Sequence, residues 1–348
     1  LLRGGLAVPV LGDLLLLSPV LVMLATALAF QYRYERCSPR MRLGLGQYLA
    51  LRLRTELAIL LVPWLLLVLV SDVGAILFDG GPHVELVQTL LPLGLVLGFI
   101  TLGPALLRMI WHTSPLPRGP LRDRLEQVCR DARFRCRDIL VWHTHNHIPN
   151  AGVIGMVPQL RYVLLSDALL AHCTDEEIEG IFAHEVGHIR HHHLGFYLLF
   201  ALAFLCFYAN AVDILARLRW VEPLDNLFLS ELTRGQAIVM LIFTALYWVF
   251  AFGYLSRRLE LQADLYSART SSDPSAFVGG LRKLASLSGT PQRAGSWRHF
   301  SIERRTRFLK EAMENPTRAD HAMRNVRLVQ IAIIALFVTG LVRLLMVL

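Results

Sequence analysis

Long apolar runs alternate with polar, arginine-rich segments along the whole chain. About 20 apolar residues cross a bilayer as a helix, and six runs are long or continuous enough to do so. They are Leu14–Phe30, Leu57–Phe78, Leu86–Trp111, Leu194–Ala216, Gln236–Leu255 and Leu328–Leu348. The first is short enough to resemble the core of a signal peptide, but no small-residue cleavage site follows it, so we interpret it as an anchor. The pattern predicts a mainly α-helical polytopic membrane protein with about six transmembrane helices.

Composition and charge support this class. Of the 348 residues, 54% are hydrophobic and 18% charged, whereas about a quarter are charged in ordinary globular domains. A net charge of +8 alone would suggest nucleic-acid binding, but the arginines are concentrated in loops 31–56, 112–193 and 256–327. Such basic loops stay on the cytoplasmic side of a membrane. We therefore predict contact with a lipid bilayer, no nucleic-acid partner, an external N-terminus and two large cytoplasmic segments.

The two large polar segments are predicted to form one α+β domain that a membrane hairpin divides. The resulting divisions are 1–111 (three spans), 112–193 (first part of the domain), 194–255 (hairpin), 256–327 (second part) and 328–348 (last span). A breaker-rich linker at 112–120 precedes an amphipathic helix from Leu121 to Ala132. Three short β-like runs, Asp138–His145, Ala151–Gly155 and Arg161–Leu165, predict a small, partly exposed sheet.

A helix is predicted from Asp175 through His193. Thr174 and Glu177 have the spacing of a capping box, which starts a helix. The helix carries H-E-V-G-H at 184–188. Histidines four residues apart lie on one helix face, so both imidazoles can bind one metal ion. Glu185 can reach a metal-bound water and act as general base, and neutral imidazoles suit Zn²⁺, the predicted cofactor.

A catalytic zinc ion takes three protein ligands and keeps one position open. His184 and His188 supply two of them. The residue at 194, where metzincins have their third histidine, is Leu194, which excludes that subclass. Glu260, just past the fifth apolar run, is the predicted third ligand. Asp264, one helical turn later, is expected to accept an N–H bond from a ligand histidine and orient it.

These segments resemble the M48 family of membrane zinc endopeptidases, which includes the CAAX-processing Ste24 type and the heat-shock HtpX type. The resemblance covers roughly residues 120–310. It rests on Pro149–Ala151, Leu164–Leu170, Asp175–His193 and Glu260–Asp264. It implies a gluzincin-like domain with His184, His188 and Glu260 on zinc and Glu185 as base. It also implies an active site at the membrane that faces the cytoplasm.

The resemblance implies two further residue roles. Family members have an Asn-Ala pair before the strand next to the substrate, and Asn150-Ala151 matches it. That asparagine is thought to help hold the scissile carbonyl or its oxyanion. Members also have a late His-Pro followed by an arginine, but here His299 precedes Phe300, with Arg305 at the expected offset. His299 therefore has two open interpretations, as an oxyanion stabiliser or as an exposed histidine of a basic loop.

Other polar residues have simpler interpretations. His143, His145 and His147 alternate with period two, and the wet face of a strand is favoured over a second metal site. His192 falls on the helix face of the two ligand histidines, but we interpret it as a cation near the lipid headgroups. Asp72, inside an apolar run, is expected to face an internal cavity between spans.

The sequence thus predicts an integral-membrane zinc endopeptidase that acts on membrane-associated or misfolded proteins. Its polypeptide substrate is expected to lie extended, as a strand added near Ala151–Gly155. An arginine-rich, lysine-poor composition indicates a GC-rich genome and hence a bacterial inner membrane. A CAAX-type prenyl-protein endopeptidase is the open alternative. A membrane metallopeptidase that acts as a sensor is less favoured, because it needs an external ligand domain and the predicted outer loops are short.

Overall fold

The computed structural model describes most of the chain. The described residues are 11–36, 43–57, 61–66, 68–70, 84–217, 234–289 and 291–347. They form two compact units, the first made of Leu1–Pro117 and Arg135–His172 and the second of Arg118–Phe134 and Cys173–Leu348. Each unit has a buried apolar cluster of its own. Helices predominate, and the sheet is small and mixed, as predicted for the fold class.

The elements follow one another in this order. The helices are α1 (Leu11–Glu35), α2 (Leu45–Arg52), α3 (Val84–Ile110), α4 (Pro120–Asp131), α5 (Asp167–His172), α6 (Asp175–Arg190), α7 (His193–Arg217), α8 (Arg234–Leu246), α9 (Gly253–Thr270), α10 (Pro274–Leu287), α11 (Ile302–Glu314) and α12 (Pro316–Val347). Residues 61–66 and 68–70 are also helical. π-Helical turns occupy Leu53–Leu57 and Tyr247–Phe252, and a 3₁₀ turn occupies Pro158–Leu160. The strands are β1 (Thr113–Pro115), β2 (Asp138–Trp142), β3 (Ala151–Ile154) and β4 (Tyr162–Ser166).

The sheet belongs to the first unit and has the strand order β1-β2-β4-β3. β2 and β4 run parallel, with Leu140 opposite Leu164, while β1 and β3 pair antiparallel to their neighbours. Leu140, Leu164, Trp142 and Tyr162 form the apolar cluster of this unit. The central strands are buried because apolar residues cover both of their faces. β3 is left at an edge of the sheet.

Among its described residues, the second unit has three helices long and apolar enough to cross a membrane. They are His193–Ala211, Gly235–Thr270 and Pro316–Met346, and they correspond to the last three predicted spans. Phe200 on α7 and Tyr247 before α9 stack with ring centroids 4.3 Å apart, and the Tyr247 hydroxyl donates to the Phe200 carbonyl at 2.9 Å. Val326 and Ile333 on α12 belong to the same buried cluster. The three spans therefore pack on one another through aromatic and branched side chains.

The other predicted spans belong to the first unit. α1 and α3 cover the first and third apolar runs. Leu45–Glu56 and Leu61–Val70 form a bent pair that adds a fourth candidate if it counts as one span. Asp72 lies outside the described residues. The six-span topology and its orientation stay predictions.

The prediction for the three alternating histidines is wrong. β2 ends at Trp142, and His145 follows with φ 56°, in the left-handed region, so no strand face is shared. His143 instead contacts the Ser114 hydroxyl at 2.7 Å through Nε2. His147 lies 3.2 Å from a Glu35 carboxylate oxygen, again through Nε2. A left-handed residue turns the chain away from the extended path that the alternation required.

Candidate metal centre

Helix α6 carries the H-E-V-G-H motif, and the predicted capping box fixes its start. The Thr174 hydroxyl accepts a hydrogen bond from the Glu177 backbone N–H at 3.3 Å, and the Glu177 carboxylate accepts one from the Thr174 N–H at 2.8 Å. Three acidic residues in the first turn suit the positive end of the helix dipole. One helical turn then places His184 beside His188, with ring centroids 4.8 Å apart.

Helix α9 packs closely against α6 because small residues lie at the contact. A Cβ atom on Gly187 would lie 3.1 Å from Cβ of Tyr266 and 3.3 Å from Cα of Ala263. The Ser267 hydroxyl donates to the carbonyl oxygen of Gly180 at 2.7 Å, which ties the two helices together. The side chains of α9 can therefore reach the histidines of α6.

His184, His188 and Glu260 meet in one cluster. The Nε2 atoms of the two histidines are 3.1 Å apart. Nε2 of His188 lies 3.6 Å from Oε1 of Glu260, and Nε2 of His184 lies 3.9 Å from Oε2. The side chains are 9%, 19% and 8% exposed, in the order His184, His188, Glu260. Within the described residues, these three form the one group whose His, Cys, Asp or Glu ligand atoms come together closely enough to hold a metal ion, all within 4.8 Å.

Asp264 and Arg305 lie behind His184. Oδ1 of Asp264 is 3.0 Å from Nδ1 of His184, although this contact is not angled as a hydrogen bond. Arg305, from α11, donates to both oxygens of Asp264, at 2.9 and 2.5 Å, and its Nη1 lies 3.5 Å from Glu260. Both members of this ion pair are buried. A buried pair depends on both partners, so Arg305 holds the carboxylate that faces His184.

A second buried chain of hydrogen bonds lies behind His188. Nδ1 of His188 is 2.8 Å from Nδ1 of His193, and Nε2 of His193 is 2.9 Å from the side-chain oxygen of Gln262. An amide oxygen only accepts, so Nε2 of His193 carries the proton, its Nδ1 accepts, and Nδ1 of His188 donates. Nε2 of His188 is then unprotonated and free to bind a metal ion.

The donor set fits a metal cation. Unprotonated imidazole nitrogens 3.1 Å apart repel each other unless a proton or cation lies between them. Burial holds the pKa of His188 well below its usual range, which favours the neutral ligand form. Two histidines and one carboxylate are a donor set of catalytic zinc, and they leave a position open. The residues present therefore fit the predicted metal.

The motif helix ends earlier than predicted, and this changes which histidine matters. α6 stops at Arg190, His192 has φ 55° in the left-handed region, and α7 begins at His193. The prediction of one helix through His193 is therefore wrong. The break turns His193 onto His188 and leaves His192 exposed, away from the ligand face predicted for it. Helical periodicity placed His192, rather than His193, on the face of the two ligand histidines. In the sequence, only the run of three histidines at 191–193 pointed to this position.

Glu185 is half-buried next to the cluster. Burial raises the pKa of its carboxyl to about 7, and Glu260 adds to the rise, while the positive charges of His184, Arg305 and His299 oppose it. A carboxylate whose pKa lies near neutrality can take a proton and give it back. This is the property required of the predicted general base.

The structure places the two remaining predicted residues in different units. His299 is in the second unit, with Nδ1 3.4 Å from the Glu260 carboxylate and a side chain that is 48% exposed. Asn150 is in the first unit, exposed, directly before β3. Its side-chain oxygen accepts the N–H of Ala151 at 3.0 Å, and its own N–H donates to the Ser166 hydroxyl at 2.9 Å. The oxyanion roles of both residues stay predictions.

Apolar spans and an H-E-x-x-H metal cluster within one unit are the marks of a membrane metallopeptidase. The chain belongs to peptidase family M48, because the family's sequence model, described as Peptidase family M48, matches residues 115–340. This confirms the family predicted from the sequence.

Relatives from two branches of the family are similar to the chain. A protease HtpX homolog of Bacteroides fragilis is 24% identical over 292 residues, covering 79% of each chain. A CAAX prenyl protease 1 homolog of Arabidopsis thaliana is 29% identical over 214 residues, covering 57% of this chain and 48% of the relative. The crystal structure of Ste24p from S. mikatae shares the fold, with a TM-score of 0.60, 16% identity, and coverage of 87% of this chain and 76% of that chain.

Proposed function

We propose that the protein is a zinc-dependent endopeptidase that hydrolyses peptide bonds of membrane-associated or misfolded proteins. The observation that carries the proposal is the buried meeting of His184, His188 and Glu260 beside Glu185. This donor set suits a catalytic zinc ion, and membership of a peptidase family supports hydrolysis. The basic character of both large polar segments supports a site on the cytoplasmic side of a bacterial inner membrane.

The residues of the cluster have distinct tasks in this mechanism. A zinc ion held by His184, His188 and Glu260 would supply a Lewis acid that polarises the scissile carbonyl and lowers the pKa of water. Glu185 accepts a proton from the attacking water and delivers it to the leaving amine as the carbon–nitrogen bond breaks. His299 donates a hydrogen bond to the carbonyl oxygen as negative charge develops there.

The polypeptide substrate is bound, in this proposal, as an added β-strand. β3 is the last strand of the sheet and, among the described strands, pairs with β4 alone. Its outer edge can therefore pair with an extended chain. Asn150 directly precedes β3, and we keep its predicted role at the scissile carbonyl.

The first test compares Glu185→Gln with Glu176→Gln in membranes that contain a loosely folded reporter protein. Glu176 is on the same helix, is about half-exposed, lies away from the metal cluster in the first turn and pairs with Arg124, so it is a matched control. We expect the control to degrade the reporter like wild type and Glu185→Gln to be at least about 100-fold slower, as for loss of a general base. Equal degradation by all three proteins would end the peptidase proposal.

A second test addresses the metal. We expect purified His188→Ala and Glu260→Ala proteins to lose bound zinc, because each removes one of three ligands. Elemental analysis of the purified proteins measures this directly. Zinc content equal to wild type in both variants would remove these residues from the ligand set.

A prenyl-protein endopeptidase is the second candidate. The similarity to the CAAX prenyl protease 1 homolog of Arabidopsis thaliana favours it. A farnesylated C-terminal peptide and its unmodified twin separate the two functions when they are offered at equal concentration. A tenfold preference for the farnesylated peptide would favour this second candidate, and equal cleavage would favour general proteolysis.

A further inference from the structure

A cavity of about 510 Å³ opens beside the metal cluster, within the second unit. Four arginines line it, and its described lining residues include no aspartate or glutamate. They are Arg257 and Arg258 from α9, Arg293 from the loop before α11, and Arg304 from α11. Charges of one sign that gather on one part of a protein surface raise the local electrostatic potential. The cavity therefore attracts anions.

Two of these arginines have no carboxylate partner among the described residues. The guanidinium of Arg304 lies 4.0 Å over the Phe300 ring, and that of Arg258 lies 4.9 Å over the Tyr254 ring. Nε of Arg258 is buried and makes no hydrogen bond within the described part of the chain. A buried donor without an acceptor is costly, so the guanidinium of Arg258 is held at the wall of the cavity without full compensation by the described residues.

The other two arginines are partly satisfied. Nε of Arg293 lies 3.3 Å from the Glu303 carboxylate, in an exposed pair. Nη1 of Arg257 donates to the carbonyl oxygen of Trp297 at 2.5 Å. A carbonyl does not neutralise a guanidinium, so Arg257 still adds positive charge to the cavity.

The cavity adjoins the proposed active site through His299. His299 lines it, and the same ring contacts the Glu260 carboxylate at 3.4 Å. Arg257 precedes Glu260 by three residues on α9, a spacing at which Cβ atoms are about 5–6 Å apart on one helix surface. A peptide whose scissile bond lies at the cluster would place residues a short way along its chain at the cavity.

We propose that this cavity binds a carboxylate of the peptide substrate, so that the enzyme prefers acidic segments. The carboxylate comes from an Asp or Glu side chain close to the scissile bond or from a free C-terminus. The inference rests on the proposed peptidase function. Arg258 and Arg304 are the anchors, because a guanidinium fork matches a carboxylate in geometry and charge. The place of His299 between the cavity and Glu260 favours a substrate group over a lipid phosphate as the occupant.

The test uses the full-length protein in nanodiscs of neutral lipid and a set of quenched fluorescent peptides. Within the set, Asp replaces Asn at one position at a time. The positions tested are the three residues on either side of the cleaved bond, and each peptide ends in a free acid or in an amide. The proteins compared are wild type, Arg258→Gln, Arg304→Gln and Arg269→Gln. Arg269 is a matched control, because it is an exposed arginine near the end of the same helix α9 and does not line the cavity.

For wild type and Arg269→Gln we expect kcat/KM to be about tenfold higher for one Asp peptide than for its Asn twin, as for one charge-assisted hydrogen bond. The ratio should fall towards one in Arg258→Gln and Arg304→Gln. A preference for the C-terminal acid over the amide would identify the free terminus as the source of the carboxylate. Binding of the same peptides to the metal-free protein, followed by fluorescence anisotropy, should show the same ranking.

The outcomes separate this inference from the function on which it rests. If no peptide is cleaved, the peptidase proposal fails, and charge-dependent binding to the metal-free protein then decides the cavity by itself. Cleavage and binding without charge preference, or a preference that survives in both cavity variants, would overturn the inference alone. Activity that depends on anionic lipid in wild type but not in Arg258→Gln, without any preference among the peptides, would assign the cavity to a lipid headgroup. That result would also overturn the inference.

Discussion

Removal of His193 is expected to weaken metal binding by about 10- to 100-fold. The His193 ring is 1% exposed and bridges His188, at 2.8 Å, to Gln262, at 2.9 Å. In His193→Ala, the Nδ1–H of His188 is buried without its acceptor, which costs about 1–3 kcal/mol. Each 1.4 kcal/mol corresponds to about a factor of ten. The loss matches the roughly 10- to 100-fold cost of removing a hydrogen-bond partner of a metal ligand.

Gln262→Leu is the sharper variant for this prediction. Leucine has a similar volume but accepts no hydrogen bond, so the proton of His193 is no longer fixed on Nε2. Gln262→Glu keeps an acceptor and should bind zinc at least as tightly as wild type. His192→Ala changes the exposed neighbour and is the control. Competition with a chromogenic chelator measures the zinc dissociation constant, and thermal unfolding of the metal-free proteins shows whether each variant is folded.

The reasoning is refuted if both His193→Ala and Gln262→Leu bind zinc like wild type. It is also refuted if Glu and Leu at position 262 weaken binding equally, because that result would show a packing role. A drop in the metal-free Tm alone, with unchanged zinc affinity, would lead to the same conclusion.

Three further predictions follow from the same site. Gly187→Ala places a Cβ 3.1 Å from Tyr266, so stability should fall by about 1–3 kcal/mol in denaturant titrations; an unchanged midpoint would show that the helices can separate freely. Arg305→Met leaves Asp264 buried without its ion pair and should cost about 3–5 kcal/mol, seen as a lower Tm; a Tm equal to wild type contradicts this. Glu185 acts as its carboxylate, and burial raises its pKa from 4.5 to about 7. We therefore expect kcat/KM to be full above that pKa and to fall as the pH drops through it. Bound zinc moves this acidic limb of the pH profile to or below pH 7. Activity that stays flat down to pH 4.5 would exclude Glu185 as the base.

Local patterns in the sequence were enough to find the parts of the site that depend on helical spacing. Thr174 and Glu177 start α6 where the capping pattern placed it. The four-residue spacing of His184 and His188 set both rings on one face. The structure brings Glu260 to them from beyond the segment 194–255. The helix cap and the histidine pair depend on residues within one or two turns of each other, which is the range that periodicity reports, whereas the approach of Glu260 depends on the packing of α9 against α6.

Features that depend on the rest of the fold could not be predicted in this way. His192 adopts a left-handed backbone conformation, which is unfavourable for a non-glycine residue and persists only when its surroundings hold it. The contact of His193 with His188 depends on that break in the helix, so helical periodicity could not predict it. β1 is three residues long and ends in Pro115, so it has no alternation to detect, and it exists because β2 pairs with it.

One continuous helical stretch, Gly235–Thr270, contains both a membrane-length apolar segment and the acidic residues of the metal cluster. Glu260 lies five positions after Leu255, where the apolar run ends, which is a rise of about 7.5 Å along a helix. His193 is likewise the first residue of its candidate span. In the proposed function, a bilayer around this apolar segment would hold Glu260 close to the height of the lipid headgroups. In that arrangement a folded protein in bulk water would not reach the cluster, and removal of the helical stretch 235–270 would remove the ligand residue Glu260 together with the membrane segment.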